Sequence, residues 1–339
     1  MNVKKTPNTT LKINNKECLF FSGTSYLGVA MLPEFQKIVY KNSKKWGTAY
    51  GSSRNANVQL EIYLKAEHFI ANFLQKEDAV TVSSGTLAGL FCLRALEKVV
   101  TDFYCMPKTH PAILPEKAKP VFINSEFNKE LINIKNKSIC ILADGIPSLE
   151  NTPFSFQFLD KIHASNTVYL LLDESHSLGV LGKNGCGIST EISKKENVKT
   201  IITSSLGKAF GLNGGVIAGA SSFINLIKKD PLFIGSAGMS PAYLETFLDA
   251  QEIYKTQLDK LQQNIEFVYN KLNTNKNIRI EKTYPVFFHQ NEDIGEYLAS
   301  KNIIITSFKY PTSIKKFNRI VLNANHTKEQ LVFMVNSLQ

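Results

Sequence analysis

Three continuous apolar runs, SICILAD at 138–144, TVYLLLDE at 167–174 and KTIITSS at 199–205, constrain this chain more than any other feature. None alternates apolar and polar residues, as a strand with one wet face does. Uninterrupted runs of this length suit strands buried on both faces, which predicts an α/β architecture with a mostly parallel central sheet covered by helices. Each run also ends in polar residues: Asp144, then Asp173-Glu174 with His176 just beyond, then Ser204-Ser205 leading to Lys208. Open α/β sheets gather ligands outside the carboxyl ends of their strands, so these polar ends are predicted to face one crevice.

The flanking segments fit that frame. Residues 57–75 carry Leu60, Leu64, Phe69, Ile70, Phe73 and Leu74 at helical spacing and predict an amphipathic helix. In DAVTVSSGTLAGLFCLRAL a short β-branched run meets Ser83-Ser84-Gly85-Thr86 and turns into a helical pattern at 86–97, a strand, a tight turn and a helix start. Pro241 suits a first helical turn, and 241–272 reads as one long connecting helix. Beyond it, strand-like pieces (IRIEKTYPVFFHQ, NIIITSF, FNRIVLNAN) alternate with helical ones at 292–300 and 327–337, which predicts a small α+β C-terminal domain. The division expected is an N-terminal segment 1–45, a large domain 46–240, and a connecting helix with a small domain 241–339.

Composition narrows the function classes. A formal charge of +10 over 339 residues invites an anionic partner. The lysines are scattered in pairs such as Lys44-Lys45 and Lys194-Lys195, with no dense basic run among aromatics, so a small anionic substrate is expected and nucleic acid is not. The five cysteines are far apart and form no CxxC, which points to free thiols in a reducing compartment and to no metal site. The N-terminus has no apolar signal segment, and no apolar run reaches the roughly 18 residues needed to cross a bilayer, so a cytoplasmic protein is expected.

The chemistry concentrates in SSLGKAFGLNGG at 204–215, where Lys208 sits among hydroxyls, small residues and glycines. A lysine amine forms an imine with an aldehyde, and pyridoxal phosphate asks a protein for such a lysine, an anionic partner for its ring nitrogen, and donors for its phosphate. Lys208 supplies the first and Asp173 the second. Ser84, Gly85 and Thr86 at a helix start, with Ser205, supply the third.

These segments also carry a resemblance. FSGTSYLGVA (21–30), SSGTLAG (83–89), KTHPAIL (108–114), ADGIPSLE (143–150), LLLDESHSLGVLGKNGCG (170–187), SSLGKAFGLNGG (204–215), SAGMSPA (236–242) and NRIVLNANHT (318–327) resemble, in order and over nearly the whole chain, the α-oxoamine synthases, which are fold-type I pyridoxal-phosphate enzymes. The resemblance implies that Lys208 bears the cofactor and then acts as the base at the substrate Cα, that Asp173 partners the ring nitrogen, that His176 lies near the phenolic oxygen and that His110 stacks on the ring. It further implies that Asp144 and Ser148 line the pocket, that Ser205 serves the phosphate, and that Arg319 clamps the amino-acid carboxylate. Homodimers are implied too, with Ser236 reaching the neighbour's phosphate and with Tyr26 and Arg54 as substrate-side residues at the subunit boundary. The implied reaction condenses a small α-amino acid with an acyl thioester, on coenzyme A or a carrier, to an α-amino ketone, usually with loss of carbon dioxide. Position 144 is Asp where relatives have Glu, and the segments around the acyl donor are shortened. An aminotransferase, a decarboxylase, an aldolase-type enzyme or a catalytically silent scaffold on the same fold therefore stay as alternatives.

Overall fold

The structure is a computed structural model that describes residues 2–192, 194–309 and 316–339. The chain divides into two compact units, residues 34–251 and residues 1–33 with 252–339.

The 34–251 unit is built on a seven-stranded sheet in the order Asp78–Val82, Gly215–Gly219, Val198–Ser205, Thr167–Asp173, Ser138–Asp144, Asp102–Cys105, Lys119–Pro120. All neighbours from Val198–Ser205 onward are parallel, and only Gly215–Gly219 runs antiparallel to both of its neighbours. The three continuous apolar runs are the three central strands, within a residue of the predicted limits. Their side chains divide between the two faces as the period of two requires. Cys140, Leu142, Leu171 and Ile201 pack with Phe91, Cys92 and Leu96 of the helix Gly85–Leu96, while Ile139, Ile141, Leu170 and Leu172 pack with Phe156, Phe158 and Ile188. With apolar layers on both sides, each fully covered Leu or Ile contributes roughly 1.5–3 kcal/mol, which favours apolar residues through the middle of these runs.

Two helical expectations needed adjusting. The helix foreseen at 57–75 is Glu61–Phe73, because Leu60 is extended at its start, and Leu64, expected on the buried face, is exposed. The single helix foreseen at 241–272 is two, Pro241–Asp249 and Gln251–Leu272, separated at Ala250 (φ −97°, ψ 11°). Thr246 Oγ1 donates back to Ala242 O at 2.7 Å, the type of back-bond that bends helices.

The second unit holds a six-stranded sheet in the order Thr10–Ile13, Lys16–Phe21, Ile303–Phe308, Phe317–Val321, Val286–His289, Ile278–Arg279. The α+β character expected for the C-terminal part is present, with Ile294–Ser300 and Lys328–Asn336 as helices. The N-terminal hairpin joins the same sheet, Lys16–Phe21 running parallel to Ile303–Phe308.

No helix among the described residues is long and apolar enough to cross a membrane. The five cysteines are free, four of them buried and Cys105 partly so.

Candidate active site

The carboxyl ends of three adjacent parallel strands deliver Asp144, Asp173 and Ser205 to one place. Asp144 and Asp173 are in register on neighbouring strands. Thr203 pairs with Asp173 on the next, which carries Ser205 two residues further along. Beyond Ser205 the chain turns through Leu206–Gly214 and returns antiparallel as Gly215–Gly219. Leu206 N–H donates to Gly214 O at 3.0 Å and Leu212 N–H to Leu206 O at 3.2 Å, so the segment carrying Lys208 is pinned at its base.

The start of the helix Gly85–Leu96 closes the opposite side. Ser84 caps it, its hydroxyl accepting from Leu87 N–H at 3.2 Å. The first N–H groups of a helix have no intrahelical acceptor and point toward an anion in front of them. Gly85 is required here by close approach: a Cβ would lie 2.7 Å from Ser205 Cβ and 2.8 Å from Ser205 Cα. The helix start and the end of the Ser205 strand are thus in direct van der Waals contact.

The result is a cavity of about 250 Å³. Nine residues expected from the sequence line it: Ser84, Gly85, Thr86, His110, Asp144, Asp173, His176, Ser205 and Lys208. Ala112 and Ser175 line it as well and were not foreseen. Ser175 Oγ accepts from Ser205 N–H at 2.8 Å and Ser175 N–H donates to Asp173 Oδ1 at 2.8 Å, so this residue ties the two strand ends together. Its only signal in the sequence is a small polar residue between Glu174 and His176. His110 caps the short Pro111–Ile113 turn, Nδ1 accepting from Ala112 N–H at 3.1 Å, while its own N–H donates to Asp144 Oδ1 at 3.1 Å.

Asp144 has its pKa raised from 3.8 to about 8, first by burial and then by the negative charge of Asp173, against the His110 N–H and the Lys208 charge. Behind it Glu174 is fully buried, its carboxylate taking Ser177 Oγ–H, Ile188 N–H at 3.1 Å and Ser189 N–H at 2.7 Å. Burial still outweighs those donors and lifts its pKa from 4.5 to about 7.

Five other expected residues do not line this cavity. Ser148 sits half-buried in the turn after Asp144. Ser236 follows the helix Pro231–Gly235, its hydroxyl donating to Phe233 O at 3.2 Å. Arg54 is engaged within its own unit: it donates to Glu67 Oε2 and Thr81 O, both at 2.8 Å, and stacks 4.3 Å from the Tyr63 ring. Tyr26 and Arg319 belong to the other unit, where both are buried and Arg319 donates to the Tyr26 hydroxyl at 3.1 Å. Arg319 Nε has no partner among the described residues.

An amine, two carboxylates, two imidazoles and a cluster of hydroxyl and backbone donors around one small cavity suit a ligand with an aldehyde, a basic ring nitrogen and a phosphate. All of these groups line the one cavity, so the residues present fit pyridoxal phosphate.

Residues 21–338 match the family model described as aminotransferase class I and II. The chain is 24% identical to the 8-amino-7-oxononanoate synthase of Lysinibacillus sphaericus, over 96% of this chain and 89% of that one. It is likewise 24% identical to the serine palmitoyltransferase of Sphingobacterium spiritivorum, over 97% of this chain and 88% of that one. Its fold matches a solved structure described as SPT with PLP, with a TM-score of 0.82 and 16% identity, covering 99% of this chain and 90% of the other.

Proposed function

The chain belongs to the aminotransferase class I and II family and, within it, to the α-oxoamine synthases, and from that premise we propose that it joins the Cα of a small α-amino acid to the acyl group of a thioester as a pyridoxal-phosphate-dependent C-acyltransferase. The observation that carries the reading is the single cavity shared by Lys208, Asp173, the two histidines and the Ser84-Gly85-Thr86 helix start.

Pyridoxal phosphate, when bound, supplies an aldehyde for an amine and a ring that spreads negative charge away from Cα. In this proposal Lys208 Nζ would hold the cofactor and would serve as the base for the substrate Cα proton. The Asp173 carboxylate keeps a proton on the ring nitrogen, a role its anchoring by Ser175 N–H supports. His110 would stack on the ring and His176 would lie near its phenolic oxygen. Ser84, Gly85, Thr86 and Ser205 hold the phosphate, and Ser148 supports the pocket from the adjoining turn. Arg319, with Tyr26 beside it, takes the substrate carboxylate, for which a planar guanidinium with an unsatisfied N–H is suited. Residues 46–240 are then the cofactor-binding domain. The protein acts as a cytoplasmic homodimer, Ser236 of one subunit reaching toward the other's phosphate and Arg54 standing near that boundary. Free buried thiols suit that compartment, and the exposed Val58 and Leu64 offer apolar surface for a second copy.

The test is Lys208→Ala against wild type, reconstituted with pyridoxal phosphate and assayed for free thiol released from a set of acyl thioesters, with and without amino acids. Wild type is expected to show the visible band of the lysine-bound cofactor and to release thiol only when both substrates are present; the variant is expected to lose both. Normal turnover by the variant, or conversion of the cofactor to its amine form by amino acid alone, sinks the reading.

A further inference from the structure

We propose that a second cavity in the 34–251 unit, bounded by Gln75, Lys76, Ser189, Thr190, Lys194 and Lys195, binds a small oxyanion of the phosphate class. This site is separate from the cofactor cavity. Val198 and Thr200 also line it, at the start of the strand whose far end, Ser205, lines the cofactor cavity. Seven residue steps of extended chain put those two ends roughly 23 Å apart.

Three lysines line this cavity, and Lys195 is engaged elsewhere, its ammonium paired with Asp160 at 2.8 Å and donating to Leu159 O at 3.3 Å. Lys76 and Lys194 have no carboxylate partner within ion-pair distance among the described residues. The Lys76 amine is pulled below its ordinary proton affinity, mainly by burial and then by the neighbouring Lys194 charge, with Glu174 opposing. An anion between the two lysines relieves that repulsion.

A second observation points the same way: Ser189 is 6% exposed and its Oγ has no hydrogen-bond partner among the described residues. A buried hydroxyl left without a partner is destabilising, and a ligand oxygen at this wall satisfies it. Two lysines, a hydroxyl and the Gln75 amide form a donor set that matches an oxyanion, and the two positive charges disfavour a cation. The cationic lining of this cavity of about 240 Å³ calls for a free phosphate or the phosphate end of a bigger molecule. The site also touches the catalytic side of the sheet through the main chain, since Ser189 N–H donates to Glu174, the residue after Asp173.

The experiment is calorimetric titration of the cofactor-saturated protein with inorganic phosphate, and separately with adenosine 5′-monophosphate, at constant ionic strength set by chloride. With the cofactor's own phosphate site filled, saturable binding at one site per chain is expected. The Lys76→Gln/Lys194→Gln double variant is expected to bind about tenfold more weakly or worse. Lys76→Arg is expected to bind as wild type does, and circular dichroism with retention of the cofactor band checks that each variant is folded. Tighter binding of the nucleotide assigns the site to a phosphate monoester, and tighter binding of phosphate assigns it to the free ion. Absence of saturable heat with either probe, or equal affinity in a folded double variant, overturns the proposal.

Discussion

Replacing Glu174 by Gln tests how a buried carboxylate beside the catalytic strand end is balanced. Glu174 is fully covered, and its two oxygens take three donors: Ser177 Oγ–H and Ile188 N–H on one, Ser189 N–H on the other. The glutamine side chain keeps one acceptor oxygen and turns an NH₂ toward a backbone donor, which destabilises by about 1–3 kcal/mol at a pH where the wild-type group is neutral. The folded-state pKa is raised, from 4.5 to about 7. The native chain therefore binds this proton more tightly than the unfolded chain, and the associated stability is complete below about pH 4.5 and lost as pH rises to about 7. At ~1.36 kcal/mol per tenfold in proton affinity, the gap amounts to about 3 kcal/mol. Asp144 acts in the same direction, but it is present in both chains and cancels in the difference. Denaturant unfolding of wild type and Glu174→Gln side by side at pH 5, 6, 7 and 8 is expected to show the variant less stable at pH 5 and the gap closing by about 3 kcal/mol by pH 8. A gap that stays constant, or widens, refutes the reasoning: it would mean that the three donors hold Glu174 ionised throughout and outweigh its burial.

Two further substitutions address the cofactor cavity directly. Gly85→Ala puts a methyl group 2.7 Å from Ser205 Cβ, so the helix start and the strand end must separate; stability should fall by about 1–3 kcal/mol and pyridoxal phosphate affinity with it, read by fluorescence titration, and wild-type affinity in the variant would contradict the close-packed phosphate cradle. Asp144→Asn replaces a group whose pKa of about 8 leaves it protonated at pH 7, so cofactor affinity there should be close to wild type, while the change in affinity that wild type shows as pH passes about 8 should be missing; an identical pH profile in the two proteins would remove Asp144 from the titration.

The central strands were legible because burial on both faces forbids polar residues, and that prohibition writes itself as an unbroken run. The polar residue that ends each run then marks where the apolar run gives way to the cavity lining, which made Asp144, Asp173 and the Ser205–Lys208 segment readable together. What escaped was whatever depends on partners distant in the chain. Nothing near Lys16–Phe21 announces that it pairs with Ile303–Phe308, and the break at Ala250 falls on the residue type that favours helix most. Ser175 was passed over because its importance lies in two backbone hydrogen bonds rather than in an unusual side chain. Arg54, which only the resemblance singled out, is held by Glu67 and the Thr81 carbonyl, two partners that its local sequence does not announce.

Lys208 rides on a connection whose two stems are adjacent, hydrogen-bonded strands, Val198–Ser205 and Gly215–Gly219. A connection clamped in this way has a fixed span, so lengthening or shortening it by even one residue would slip the pairing of Gly215–Gly219 with both of its neighbours at once. Insertions and deletions between Leu206 and Gly214 should therefore be poorly tolerated, which makes the amine's reach a dimension that loop remodelling cannot readily retune.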